Sequence, residues 1–338
     1  MTKKSLSFLL LGLGIGIVLT AVVFSLIIGS GQARGGTGKV MLKLAHVLPA
    51  SAPVHKGMVR MSELAAEKSG GLVDIQVFPN GQLGSETDTI EQLQRGALAM
   101  VKSSTAPLES FIPEMAVFSV PYLFRDADHY WKVLEGEIGK SILSNGGDTG
   151  IRGLCYYDSG ARSFYTIQKP VLTPDDLNGM KIRVMKSKTS MDMVDVLGGS
   201  PTPIPFGELY TALQQGMVDG AENNPPSMYD TRHWEVAKHY SINEHARIPD
   251  IVLFSQKIWD SLSPQVKGWV QEAADESVTY QRQIWNQYVG ECLENLEAEG
   301  VTMYHPDKFG FQVLAKQMYG NFDGTSIESL IEQIQAIE

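Results

Sequence analysis

Cysteine is nearly absent: Cys155 and Cys292 are the only two in 338 residues. Two cysteines make no disulfide framework. Two buried free thiols are the plain expectation, and a single bridge is the alternative. The chain also lacks the compact signatures of common enzymes. There is no phosphate-binding G-x-x-x-x-G-K loop and no G-x-S-x-G nucleophile elbow. Gly12, Gly14 and Gly16 stand at G-x-G-x-G spacing but inside an apolar run, with no strand before them, so they are not a nucleotide loop. Seven histidines are scattered. The nearest to a metal set is His233, Glu235 and His239, whose histidines are six apart and do not share a helix face. No metal or other cofactor is expected. No basic stripe interleaved with aromatics occurs, and the formal net charge is −10, so nucleic acid is excluded as a partner. Such a surface also repels anions, so an anionic ligand would need a few well-placed arginines.

The N-terminus carries Lys3 and Lys4, then an uncharged apolar run from Leu6 to Ile28. This is the pattern of a secretory signal, with Gly31 and Ala33 as small residues before a cleavage site. The run also reaches the ~20 residues needed to span a bilayer, so residues 1–33 read as a signal peptide or an uncleaved anchor. No cysteine follows it, which excludes a lipoprotein anchor.

The remaining ~300 residues suffice for two domains. Val40, Leu42 and Leu44 alternate as a strand, as do Val73, Ile75 and Val77. Between them Met58, Met61, Leu64 and Ala65 recur at helical spacing, ending at Gly70 and Gly71. Ser85 caps a further helix. Strands are also expected at 151–157, 164–167, 181–184 and 251–254, and helices at 206–215 and, as one long element free of internal proline, at 263–299. Strand–helix alternation implies an α/β fold with largely parallel sheets.

In such sheets ligands collect beyond the strand ends. The polar residues standing there are His46, Ser103, Ser104, Arg162, Arg183, Glu222, Asn223 and Asn224. Each also has a plainer reading. Arg183 serves as a solvated edge charge, Arg162 as half of a surface pair, Phe206 as core and His46 as a satisfied strand-end histidine. Asn223 and Asn224 are ordinary turn residues before Pro-Pro.

Taken together, several segments resemble the substrate-binding subunits of tripartite ATP-independent periplasmic (TRAP) transporters, the dicarboxylate-binding-protein family. They are LKLAHVLPASAPVHKG, FPNGQLGSETDTIEQLQRGALAM, AVFSVPYLF, YYDSGARSFYT, TPDDLNGMKIRVMKS and PTPIPFGELYTALQQGMVDGAENNPPS. They keep family order across nearly the whole chain after the leader, with residues 177–223 the most specific. The resemblance implies a two-domain periplasmic-binding-protein-like fold with a hinge, a ligand cleft and one long helix crossing both domains. The divisions expected are 38–159 plus 248–287 for one domain, and 160–247 plus 288–338 for the other. It implies a periplasmic, non-enzymatic protein that hands a small carboxylate to the small and large membrane subunits of the transporter. By resemblance Arg183 clamps the ligand carboxylate, in water while the cleft is open. Arg162 makes a second positive contact, Asn223 and Phe206 line the site, and Ser104 falls near a position where relatives place an acidic contact. Val47 beside His46 departs from sialic-acid binders. The YYDSGARSFYT segment and the INEH around His245 resemble binders of hexuronates. Glu222, Asn224 and His245 suit a polyhydroxylated ligand. A C4-dicarboxylate or other small carboxylate is the alternative ligand. A two-domain enzyme, or a sensor that keeps its anchor, is the alternative class.

Overall fold

The computed structural model describes residues 38–338; the apolar leader expected at 1–33 lies outside them. Eleven strands among the described residues form two sheets. In chain order they are β1 (Val40–Ala45), β2 (Val73–Phe78), β3 (Met100–Ser104), β4 (Ile151–Tyr157), β5 (Arg162–Thr166), β6 (Lys181–Val184), β7 (Ser200–Pro203), β8 (Gly220–Asn223), β9 (His239–Ala246), β10 (Asp250–Ser255) and β11 (Thr302–Tyr304). The first sheet has the order β2-β1-β3-β10-β4 and the second β11-β9-β5-β8-β6-β7.

Neither sheet is all parallel. β1 runs parallel to β2 and β3, but β10 is antiparallel to both of its neighbours. β5 is likewise antiparallel to β8 and β9. The cause is the route of the chain. It leaves the first sheet after Tyr157, enters the second at Arg162, and returns through 247–249 into β10. A strand fed by such a crossing does not inherit the direction that a helical crossover would give it.

Both faces of each sheet are covered, so the inner strands read as continuous apolar runs. In β10, Ile251 and Leu253 enter one core while Val252 and Phe254 enter the other. In the second sheet Tyr165, Ala221 and Tyr240 face one core, and Phe164, Ile182 and Val184 the opposite one.

The helix Pro53–Ser69 buries Met58, Met61, Leu64 and Ala65 as its spacing predicted, and a left-handed Gly70 ends it. The long helix spans Pro264–Ala298, with Ser263 Oγ accepting from Val266 N at its start. Its Val270, Ala273 and Trp285 belong to the first sheet's core and its Leu296 to the second's, so one rod ties both halves together. Gln281 of that helix clamps the first crossing: its Oε1 accepts from Asp158 N at 2.8 Å and its Nε2 donates to Asp158 O at 2.9 Å. Gly160, at φ +62°, lies against Trp285, where a Cβ would come within 3.2 Å of the indole nitrogen.

The C-terminal helix, Ser326–Ala336, differs from the division expected for 288–338. Its Ile327, Ile331 and Ile334 pack into the first sheet's core, beside Phe118 and Ile142. Three buried isoleucines contribute ~1.5–3 kcal/mol each there. Cys155 and Cys292 are both free and buried.

Candidate functional site

Between the two sheets lies a small cavity lined by residues of both. The second sheet presents Arg162, Arg183, Phe206 and Asn223. The first presents Glu86, Lys102, Ser104 and Asp250, and Trp285 of the long helix lies at the back. Strand-end residues from separate segments thus converge on one space.

Arg183 is the most unusual group in this wall. It sits in the short strand β6 and is only 1% exposed. Its Nε donates to Ile204 O at 2.8 Å, its guanidinium lies 5.7 Å from the Phe206 ring, and its Nη1 is buried without any hydrogen-bond partner. Burial depresses its pKa, and no acid forms an ion pair with it among the described residues. The reading of Arg183 as a solvated edge charge is therefore corrected for this arrangement. The closing walls remove the solvent and leave a guanidinium edge lacking an acceptor, a costly state unless an anion fills it.

Arg162 is different. Its Nη2 donates at 2.8 Å to both Oε1 and the main-chain oxygen of Glu222, its Nε binds Glu222 Oε2, and its Nη1 donates to Asn223 Oδ1 at 2.8 Å. Burial opposes both charges. The opposite charge outweighs it, raising the Arg162 pKa and holding the Glu222 carboxyl down at about 2. Behind Glu222, His245 approaches Oε2 at 3.3 Å, stacks on Phe164 at 4.5 Å and meets Asn243 Oδ1 at 3.0 Å. Glu222 and His245 are absent from the cavity wall and instead fix the Arg162 fork from behind. Adjacent strand residues face opposite ways, so with Asn223 turned to the cavity Glu222 turns away.

His46 also lies outside the wall. It is buried, its Nε2 meets His55 Nδ1 at 2.9 Å, and its Nδ1 accepts from Leu48 N at 3.2 Å. Burial pushes its pKa down to about 2. It shapes the loop that brings Val47 and Leu48 to the cavity. Asn224 lines the cavity, but its amide is engaged: Oδ1 accepts from Ser227 N to cap the helix Pro225–Asp230, and Nδ2 donates to Ser159 O. Asn223 Oδ1 accepts from Arg162 and from Asn224 N, which leaves its amide donors for the cavity. Ser104 Oγ is buried and unpartnered.

Sequence reasoning missed Glu86, Lys102 and Asp250. Lys102 Nζ pairs with Asp250 Oδ2 at 2.9 Å, both nearly buried. Burial raises the Asp250 carboxyl to about 6. The register sets Asp250 opposite Ser104, so Asp250, Ser104 and Lys102 share one face of the sheet. The signal was a single lysine inside the otherwise uncharged strand MVKSS, which demands a buried counter-charge. Glu86 opens the helix Glu86–Arg95 just after its Ser85 cap, and its Oε1 accepts from Ser104 N at 2.9 Å.

Comparison with known proteins agrees with this geometry. Residues 44–324 match the bacterial extracellular solute-binding proteins, family 7. The C4-dicarboxylate-binding periplasmic protein DctP of Rhodobacter capsulatus is 34% identical over 267 residues, 79% of this chain and 80% of that protein. A TRAP periplasmic solute-binding protein from Bradyrhizobium sp. BTAi1, solved with galacturonate, is 43% identical with a TM-score of 0.86, covering 88% of this chain and 99% of that one. Another from Roseobacter denitrificans, solved with β-D-glucuronate, is 39% identical with a TM-score of 0.84, covering 88% of this chain and all of the other. The two-sheet cavity, the long spanning helix and the match over 44–324 give one conclusion: this chain belongs to the family 7 extracellular solute-binding proteins, the binding subunits of TRAP transporters.

Proposed function

We propose that the protein captures a hexuronate or closely related sugar acid in the periplasm and delivers it to the integral membrane subunits of a TRAP transporter. One observation carries the choice of ligand. Of the three cations around the cavity, Arg162 is neutralised by Glu222 and Lys102 by Asp250, while Arg183 Nη1 is buried and open. The cavity therefore offers one carboxylate site rather than two. The rest of its polar wall, with Ser104, Asn223, Glu86 and Asp250, suits hydroxyl groups, which donate and accept. A plain C4-dicarboxylate would leave its second charge unmatched. The relatives from Bradyrhizobium and Roseobacter, solved with galacturonate and glucuronate, point the same way.

The residues acting on the ligand in this reading are Arg183 as carboxylate anchor, Arg162 and Asn223 as a fixed donor edge, and Phe206 as the apolar wall against Arg183. Closure follows from the two crossings at 158–161 and 247–249, about which the halves rotate. Small-angle scattering with and without D-galacturonate tests closure, with a smaller radius of gyration expected in its presence. Calorimetry against D-galacturonate, D-glucuronate, succinate and malate tests the ligand class. Tighter binding of succinate than of either uronate overturns it. A turnover assay on the tightest ligand separates a binder from an enzyme; any product formed defeats the binder reading.

A further inference from the structure

The first-sheet wall of the cavity carries two carboxylates, Glu86 and Asp250, and a single lysine, Lys102, so its net formal charge is negative. Asp250 is 4% exposed and contributes a carboxylate whose Oδ2 faces Lys102 Nζ. Glu86 uses Oε1 on Ser104 N. It also lines a neighbouring pocket together with Arg183 and Phe206, and forms no ion pair among the described residues. Between these acids the Ser104 hydroxyl is buried and unpartnered. These three come from β3, from the start of β10 and from the capped helix that follows β2, so the first sheet holds them on rigid elements.

We infer that Glu86 and Asp250 form a charge filter on the first-sheet wall, which admits a ligand with one carboxylate and several hydroxyls and rejects the same carbon skeleton carrying a second carboxylate. The inference rests on the sugar-acid reading above and deepens it. A hydroxyl at this wall donates to Asp250 or Glu86 and accepts from Lys102 Nζ or Ser104 Oγ. A carboxylate there accepts only, faces two carboxylates, and finds the one nearby cation already taken. Specificity built this way is a repulsive element set beside an attractive one, Arg183. It separates two compounds of similar size, of which galactarate cannot close to the pyranose ring, so the change of ratio in the variants isolates the charge. Galactarate has the carbon chain and hydroxyl configuration of galacturonate, and differs in bearing a carboxylate where galacturonate carries its aldehyde or hemiacetal carbon.

The test is titration calorimetry of the full mature chain with D-galacturonate and with galactarate, for wild type, Glu86→Gln and Asp250→Asn. Like-charge juxtaposition is expected to disfavour galactarate at least ~100-fold in the wild type. Each variant should lower that ratio at least tenfold. In Asp250→Asn the freed Lys102 should also pair with the second carboxylate, so galactarate tightens in absolute terms while galacturonate weakens. A purely structural role would move both dissociation constants together and leave the ratio unchanged; that result overturns the filter. Asp250→Asn unpairs a buried lysine and could unfold. Glu86→Gln sits on a half-buried side chain, keeps an oxygen for Ser104 N, and alone decides the matter. Wild type that prefers galactarate refutes the filter but not the sugar-acid class. Wild type that binds neither compound, and neither D-glucuronate nor glucarate titrated alongside, brings down the sugar-acid reading and the filter with it.

Discussion

Replacing Arg183 by methionine should abolish tight binding without weakening the ligand-free protein. Arg183 is 1% exposed and places a guanidinium in a cavity with one carbonyl partner, Ile204 O, and an Nη1 that has none. An unsatisfied polar atom of a buried charged group costs ~1–3 kcal/mol or more. Exchanging a buried charge for an apolar side chain of similar length is often neutral or stabilising. Against this, Ile204 O loses its donor, a loss of ~1 kcal/mol. The balance leaves the ligand-free melting temperature unchanged or raised by a few degrees, taking ~2–4 °C per kcal/mol. Binding behaves oppositely. Truncating one side of a buried charge pair costs ~2–5 kcal/mol, a loss of roughly 30- to 4,000-fold in affinity. Arg183→Lys keeps the charge without the two-pronged fork and should fall between wild type and Arg183→Met. The assay is a thermal melt with and without D-galacturonate, followed by calorimetry. At a ligand concentration 100-fold over the wild-type Kd the wild type should gain ~2.7 kcal/mol and Arg183→Met no more than ~0.9 kcal/mol. A variant that melts several degrees lower when empty, yet binds within threefold of wild type, would refute the reasoning, because Arg183 would then be a structural residue.

Glu222→Gln should weaken D-galacturonate binding at least ~10-fold and lower stability by ~3–5 kcal/mol, because Arg162 is left as a buried charge without its partner; calorimetry and denaturant melts read both. Gly57→Ala should destabilise by ~1–3 kcal/mol despite better helix propensity, since the new Cβ would come within 2.8 Å of Gln281 Cγ on the long helix; an unchanged midpoint would contradict that close packing. Stability should fall on acidification from pH 7 to pH 5. His46 and His233 are held neutral by burial, at about 2 and about 3. Below pH 6.5 the unfolded chain takes up protons that the folded one refuses, so each histidine removes up to ~2 kcal/mol by pH 5. Asp250, raised to about 6, works the other way: the folded chain binds its proton first, returning up to ~1.4 kcal/mol over that range. Melts across this range should show the net loss, and His46→Gln should flatten the slope.

The parts of the fold that were legible obeyed local rules. β1, β2, β4, β6 and β10 alternate or run apolar, and the long helix is bounded by Ser263 and lacks internal proline after its first position. β8 and β9 were not legible, because GAEN and HYSINEHA carry the polar groups of the site and its support rather than an apolar pattern. Arg183 stood out as a charge in a short strand and Arg162 as a charge in a loop between domains, where the structure already begins β5. The roles of Glu222 and His245 did not, because their direction depends on the β5–β8 and β5–β9 pairings. Lys102 and Asp250 meet only through the antiparallel register of β3 with β10, a contact between residues far apart in the chain. The helix Ser326–Ala336 shows an amphipathic pattern, yet nothing local says which core takes its isoleucines.

The most direct test of the account is calorimetric titration of the wild-type protein with D-galacturonate, D-glucuronate and succinate under one set of conditions. With one open cation at Arg183 and a wall of hydroxyl partners, at least one uronate should bind more tightly than succinate by tenfold or more. Succinate binding as tightly as both uronates, or more tightly, would contradict the claim that this cavity reads a single carboxylate and the hydroxyls beside it.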